Sequence, residues 1–138
     1  MIRFAIAAAL ALCATTALAS EPGSSVALTF ETGADTGAIM VALYDEATYA
    51  GGQPVRAARI DVAAGERTAT FEGLPAGDYG VKAFHDVNGN GRMDANPFGM
   101  PTEPYAFSNN AVGNMGPAGW DRAHFSVDGA TAQTIRIR

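Results

Sequence analysis

Between Asp86 and Asp94 the chain reads Asp86-Val87-Asn88-Gly89-Asn90-Gly91-Arg92-Met93-Asp94. Oxygen-bearing side chains fall at its first, third, fifth and ninth places, and glycine at its sixth. Alternate residues of such a run can face one concavity, so Asp86, Asn88 and Asn90 can offer oxygens to a single hard cation. Gly91 permits the sharp turn, the Arg92 carbonyl can supply a further oxygen, and Asp94 can act directly or through water. This is the front half of an EF-hand calcium loop, and calcium accepts about six to eight such oxygens. The back half departs from that pattern. The twelfth place is Pro97 instead of a bidentate glutamate, and the flanks read as a strand and a Pro-rich loop rather than as helices. The expectation is a local calcium cradle on another fold, with two formal negative charges unless Glu103 folds back to join them. Such a site binds in the range of extracellular modules, about 0.1–1 mM. The same residues could instead form Asx-turns and glycine turns with no ion.

The cradle opens a longer segment, residues 86–120, in which regular alternation stops and Gly, Pro and Asn are abundant. A long irregular segment inside a small domain is uncommon and is usually functional or disordered. Met93, Phe98, Met100, Tyr105, Phe107 and Trp120 lie within it, and disordered segments lack such apolar anchors. An ordered loop is therefore expected. Glu103, Tyr105, Phe107, Asn109, Asn110 and Trp120 are its candidate ligand-binding residues, because aromatic faces beside fixed polar groups suit a carbohydrate or peptide. The alternative is that Tyr105 and Phe107 pack down while Ser108, Asn109 and Asn110 bond to loop backbone.

Catalysis has a weaker basis. Neither His85 nor His124 has a second histidine at metal-ligand spacing. Ser108, His85 and Asp86 could be assembled into a triad, but no nucleophile-elbow sequence surrounds Ser108. His85 is expected to anchor the loop by donating from its ring to a backbone carbonyl. A hydrolase or isomerase using His85, Asp86 and Glu103 is the enzymatic alternative, and no catalytic residue is assigned.

The elements that must position these residues read as β-strands. Val26 to Phe30, Ile39 to Leu43, Val55 to Val62, Arg67 to Glu72, Tyr79 to His85, His124 to Val127 and Thr134 to Arg138 alternate with period two, and no stretch is helical. Along the fifth run Tyr79, Val81, Ala83 and His85 share one face, with Lys82, Phe84 and Asp86 on the other. About seven short strands imply an all-β fold, a Greek-key β-sandwich with one long ordered loop. The turn Leu74-Pro75-Ala76-Gly77-Asp78-Tyr79 resembles those of transthyretin-like and collagen-adhesin B-type modules, and the architecture is read as transthyretin-like or immunoglobulin-like. In that turn Leu74 is expected to plug the end of the core and Gly77 to take a positive φ.

Residues 1–19 read as a cleavable signal peptide. Arg3 supplies the charge, Phe4 to Thr16 an apolar run, and Ala17-Leu18-Ala19 the small-x-small site. Leu12 before Cys13 is too large for lipoprotein processing. The expected product is exported, periplasmic or extracellular, and spans residues 20–138 as one domain. Cys13, the only cysteine, leaves with the leader, so the domain has no disulfide. The formal net charge of −5 disfavours nucleic acid and anionic lipid surfaces. No further segment is apolar enough for membrane insertion. A protein, peptide or carbohydrate ligand stays open, and the Thr134 to Arg138 strand is a candidate edge for a partner.

Three longer motifs carry a resemblance. They are His85-Asp86-x-Asn88-x-Asn90-Gly91-x-x-Asp94, then Gly99-x-Pro101-x-Glu103-Pro104-Tyr105-x-Phe107-Ser108-Asn109-Asn110-Ala111, then Gly116-Pro117 with Ala123-x-Phe125. In these the chain resembles the domain of unknown function 2141 group (DUF2141) of exported bacterial proteins, across essentially the whole of residues 20–138. Ala106 and Ala118 depart from the Gly and Pro of that pattern, and Trp120 replaces another aromatic. The resemblance implies an exported β-rich domain and supplies no reaction.

Overall fold

Strand alternation sends one face of each strand inward. In the computed structural model, which describes residues 23–113 and 116–137, β1 (Ser24–Thr32) buries Val26, Leu28 and Phe30. Strand β2 (Ala38–Asp45) buries Ile39, Val41 and Leu43. These side chains meet in one core with Ile60 of β3 (Arg56–Asp61), Phe71 of β4 (Thr68–Leu74) and Val81 of β5 (Gly77–Asp86). The core is completed by Ala106 of β6 (Tyr105–Phe107), Val127 of β7 (Phe125–Val127) and Ile135 of β8 (Ala130–Ile137). Each large aliphatic or aromatic side chain removed from water there contributes roughly 1.5–3 kcal/mol before chain entropy is set against it. The fold is mostly β, in two sheets. The leader read at residues 1–19, with Cys13, lies outside the described residues.

One sheet has the order β4-β1-β8, with β1 antiparallel to β4 and parallel to β8 from Ser25↔Ala130 to Thr32↔Ile137. The other has the order β3-β2-β5-β6, and β7 also pairs with β5. Strand β5 is the axis of the site. Its first edge pairs with β2 along its length, from Asp45↔Tyr79 to Ala38↔Asp86. Its second edge is shared, β7 taking Gly77 to Tyr79 and β6 taking Lys82 to Phe84.

Between those two partners the ladder is closed by a side chain. The Ser108 hydroxyl accepts the Val81 N–H at 2.9 Å and donates to the Ala123 carbonyl. Ser108 is wholly buried, so Ser108→Ala would leave an amide and a carbonyl without partners. The expected cost is about 2–4 kcal/mol, at roughly 1–3 kcal/mol for each orphaned group. A urea titration of the variant checks it, and a loss within about 0.5 kcal/mol, the range of an inert surface change, would contradict the assigned role.

The elements differ from the sequence expectation in four places. There are eight strands among the described residues rather than seven, because β6 lies in the segment expected to be irregular. Strand β8 begins at Ala130, four residues before the expected Thr134; its first half is exposed and alternates weakly. Two short helices appear, α1 (Glu46–Tyr49) and α2 (Trp120–Ala123). Asp45 caps α1 by accepting the Thr48 N–H at 3.0 Å, while the Thr48 hydroxyl returns to the Asp45 N–H. The positive φ expected at Gly77 falls instead at Gly73 (φ 68), just before the Leu74–Tyr79 turn, where Gly73 packs against Gly23. Leu74 is buried as expected, and the Tyr79 hydroxyl donates to the Pro75 carbonyl at 2.7 Å.

Candidate functional site

Strand β5 ends by delivering His85 and Asp86, both buried, to the start of the loop. His85 Nε2 lies 2.6 Å from the Thr36 carbonyl oxygen. A carbonyl can only accept, so Nε2 carries the proton. The ring thereby ties the loop base to the segment entering β2. The Asp86 carboxylate turns back into its own loop. One oxygen accepts the Asn90 N–H at 3.2 Å and the other the Gly91 N–H at 2.6 Å. That folds residues 86–91 around a carboxylate, with Gly91 at a φ of 78.

The fold of the loop brings the remaining polar side chains together. The Asn88 and Asn90 amide nitrogens donate to the two oxygens of Asp94, Asn90 at 2.7 Å. Their amide oxygens accept backbone N–H groups of Asn90 and Arg92, at 3.2 and 2.9 Å. The bonds from Asn90 and then Asn88 hold the Asp94 carboxyl below the usual carboxylate range. Arg92 joins the cradle through its backbone, and its side chain stands exposed.

Glu103 does fold back. Its oxygens accept the Val87 N–H at 2.8 Å and the Asp94 N–H at 3.0 Å, so one buried carboxylate clamps both ends of the cradle. The Thr102 N–H donates to the Asp94 carbonyl at 2.8 Å beside it. Among the described residues no three His, Cys, Asp or Glu side chains form a metal-holding group. A cation here would have to draw on amide and backbone oxygens as well as on Asp86 and Asp94.

Of the other candidate ligand residues, Tyr105, Phe107 and Asn110 border one depression beside β8. Asn109 and Asn110 adopt left-handed backbone (φ 61 and 52) and spend their side chains on main chain, apart from the Asn109 oxygen, which accepts the Gln133 side-chain amide at 2.9 Å. The Asn109 amide donates to the Arg122 and His124 carbonyls, and Asn110 donates to the Thr134 carbonyl and accepts the Arg136 N–H. Asn110 thus mimics a strand along the β8 edge, and it blunts the edge that alternation alone offered to a partner. Trp120 is half-buried, edge-on to Tyr49 and stacked on His124. Phe107 is buried in a small cluster with Tyr49, Ala118 and Ala123. Tyr105 stays exposed and meets Phe107 edge-to-face at 5.8 Å.

The family described as "Uncharacterized protein conserved in bacteria (DUF2141)" matches residues 31–136. The chain belongs to the DUF2141 family. No curated protein and no solved structure matches it. The DUF2141 match runs from the end of β1 to the end of β8, and so takes in the cradle, the Glu103 clamp and the asparagine pair. In this DUF2141 chain the sequence pattern also carried a feature that strand alternation by itself passes over. Met40 and Phe84, neighbours across β2 and β5, stand on the outer face of the sheet. Together with Ala42, Lys82 and Tyr105 they line a large groove beside the loop. Apolar side chains at outward positions of two adjacent strands were the available signal.

Proposed function

We propose that this protein is an exported, periplasmic or extracellular, non-enzymatic module that acts as a binding or structural domain, with a calcium-stabilised loop at Asp86–Asp94. The observation that carries the reading is the wrapping of residues 86–91 around the Asp86 carboxylate, which gathers Asn88, Asn90 and Asp94 at one place. A half-turn of each asparagine amide presents an oxygen where a nitrogen now meets Asp94, at the cost of the bonds its oxygen accepts from the Asn90 and Arg92 N–H groups. The non-enzymatic reading is supported by His85, Asp86 and Glu103, whose bonded ring nitrogen and carboxylate oxygens go to main chain. The finer architecture we infer is a Greek-key β-sandwich of the transthyretin-like or immunoglobulin-like kind. Its support is the pairing of the first strand with the last in one sheet while β2 lies between β3 and β5 in the other.

The calcium reading is tested on residues 20–138 by thermal melting in calcium and in chelator. With about 1 mM calcium and a Kd of about 0.1 mM, binding stabilises by about 1.4 kcal/mol. For a domain of this size that is a rise of roughly 5–8 °C in Tm, and Asp94→Ala is expected to abolish it. Equal melting temperatures in the two buffers would remove the reading.

A further inference from the structure

The outer face of the five-stranded sheet is apolar where a solvent-facing sheet is ordinarily polar. Arg59, Met40, Phe84 and Tyr105 form one row across β3, β2, β5 and β6. Ala42 and Lys82 are neighbours in the next row. Met93, Met100 and Pro101, from the segment before β6, border these rows and with them line a half-open groove of about 1120 Å³. That is slightly above the usual range of small-molecule sites, about 300–1,000 Å³. Four strands at about 4.8 Å spacing give the first row a length of about 14 Å, the reach of a medium-to-long acyl chain.

A second observation points to the same place. Of the large apolar side chains that stand exposed among the described residues, Met93, Met100 and Tyr105 line this groove, while Val87, Phe98 and Val112 lie elsewhere on the same segment. Exposed apolar surface gathered in one region marks a binding site rather than scatter. Charge then narrows the occupant. The chain is acidic overall, at −5, yet no Asp or Glu lines the groove, and its charged lining residues are Arg59 and Lys82. Lys82 is committed to the Tyr49 carbonyl and to the faces of Tyr44 and Tyr49. Arg59 is exposed at the end of the row and has no ion-pair partner among the described residues.

We infer that this groove binds a free long-chain fatty carboxylate, its tail lying along Met40, Phe84 and Tyr105 beside the loop and its carboxylate at Arg59. The inference deepens the binding reading of the domain and is independent of the calcium reading. Melting reports calcium, whereas the groove is read by ligand titration in calcium-containing buffer.

The experiment uses residues 20–138 and cis-parinaric acid, a polyene fatty acid whose fluorescence rises when it leaves water. Palmitate is expected to displace it, and hexadecanol, with the same tail and no charge, to do so about threefold to fivefold less well, the effect of one exposed ion pair. Arg59→Glu is expected to erase that difference without lowering Tm. Ala42→Trp fills the floor and is expected to abolish probe binding. Met100→Asp, at an exposed position that folding tolerates, is expected to weaken it severalfold. Equal displacement by palmitate and hexadecanol in the unaltered protein would overturn the anionic head. Probe binding unchanged in both groove variants would overturn the site. Concentration-dependent dimerisation that Ala42→Trp abolishes, with no probe binding, would assign the face to a second copy and overturn the ligand.

Discussion

Glu103→Ala is expected to destabilise the protein by about 2–4 kcal/mol and to release the loop ahead of global unfolding. The clamp consists of two charge-assisted hydrogen bonds from the Val87 and Asp94 amides to one buried carboxylate. Bonds to charged groups contribute roughly 1.5–3 kcal/mol each. The sum is discounted because Val87 and Asp94 border solvent and can rehydrate when the carboxylate is gone. Glu103→Gln separates charge from geometry. The glutamine amide has one oxygen, so one backbone N–H keeps an acceptor while the other meets an NH₂ group, and about half of the loss is expected. Hydrogen exchange at the Val87 and Asp94 amides is the specific readout. Exchange that accelerates there in the alanine variant, with amides of β1 and β8 unaffected, is the expected pattern. Unchanged protection at both amides would show that Glu103 is not the clamp.

The clamp also shows where sequence reasoning reached and where it stopped. The inward faces of β1, β2 and β5 were legible because burial on one side of a strand imposes period two, and Val26, Leu28, Phe30, Ile39, Val41 and Leu43 keep that period without interruption. The cradle was legible as a spacing, since Asp86 and Gly91 serve one tight turn. Three features were hidden for a common reason. Strand β6 is three residues long and takes its order from β5, so it has no period of its own. Ser108 completes a ladder between β6 and β7, a partnership that exists only once three segments are assembled. Helix α1 left a local mark, the capping pair Asp45 and Thr48, but four residues between two strands carry too little periodicity to outweigh the β signal. The groove was hidden differently. Its floor is a row across four strands, and a row becomes visible only when register is known, because a slip of one residue would send Met40 and Phe84 into the core. The candidate ligand residues Asn109 and Asn110 looked like recognition groups for the same reason. Their composition suits a ligand as well as it suits the β8 edge, and only the register of β8 places Gln133 within reach of Asn109 and Thr134 and Arg136 within reach of Asn110.

Gly37→Ala is expected to destabilise the protein strongly although it adds a single methyl outside the core. Gly37 precedes β2 at a φ of +70, and a Cβ built on it would lie 2.0 Å from the Asp86 carbonyl oxygen and 2.9 Å from the Val87 Cα. Two penalties act together. The left-handed backbone costs a non-glycine residue about 1–2 kcal/mol. The contact is with main chain, so no side-chain rotation relieves it, and the end of the β2–β5 ladder at Ala38↔Asp86 must open. A total of about 3–5 kcal/mol is expected, in the range reserved for specific structural faults. Gly65→Ala divides the two penalties, because Gly65 has a φ of +91 with nothing within 4 Å of the added carbon. It should cost only the backbone share, about 1–2 kcal/mol. The excess at Gly37 is the price of moving Asp86. That displacement should reach the 86–94 loop as well as the stability, since the Thr36 carbonyl held by His85 and the carboxylate that wraps residues 86–91 both hang from this junction. In a variant folded at low temperature, the calcium-dependent rise in Tm should therefore vanish for Gly37→Ala and persist for Gly65→Ala. Equal losses of stability in the two variants would mean that the junction yields easily, and that the cradle does not depend on a fixed Asp86.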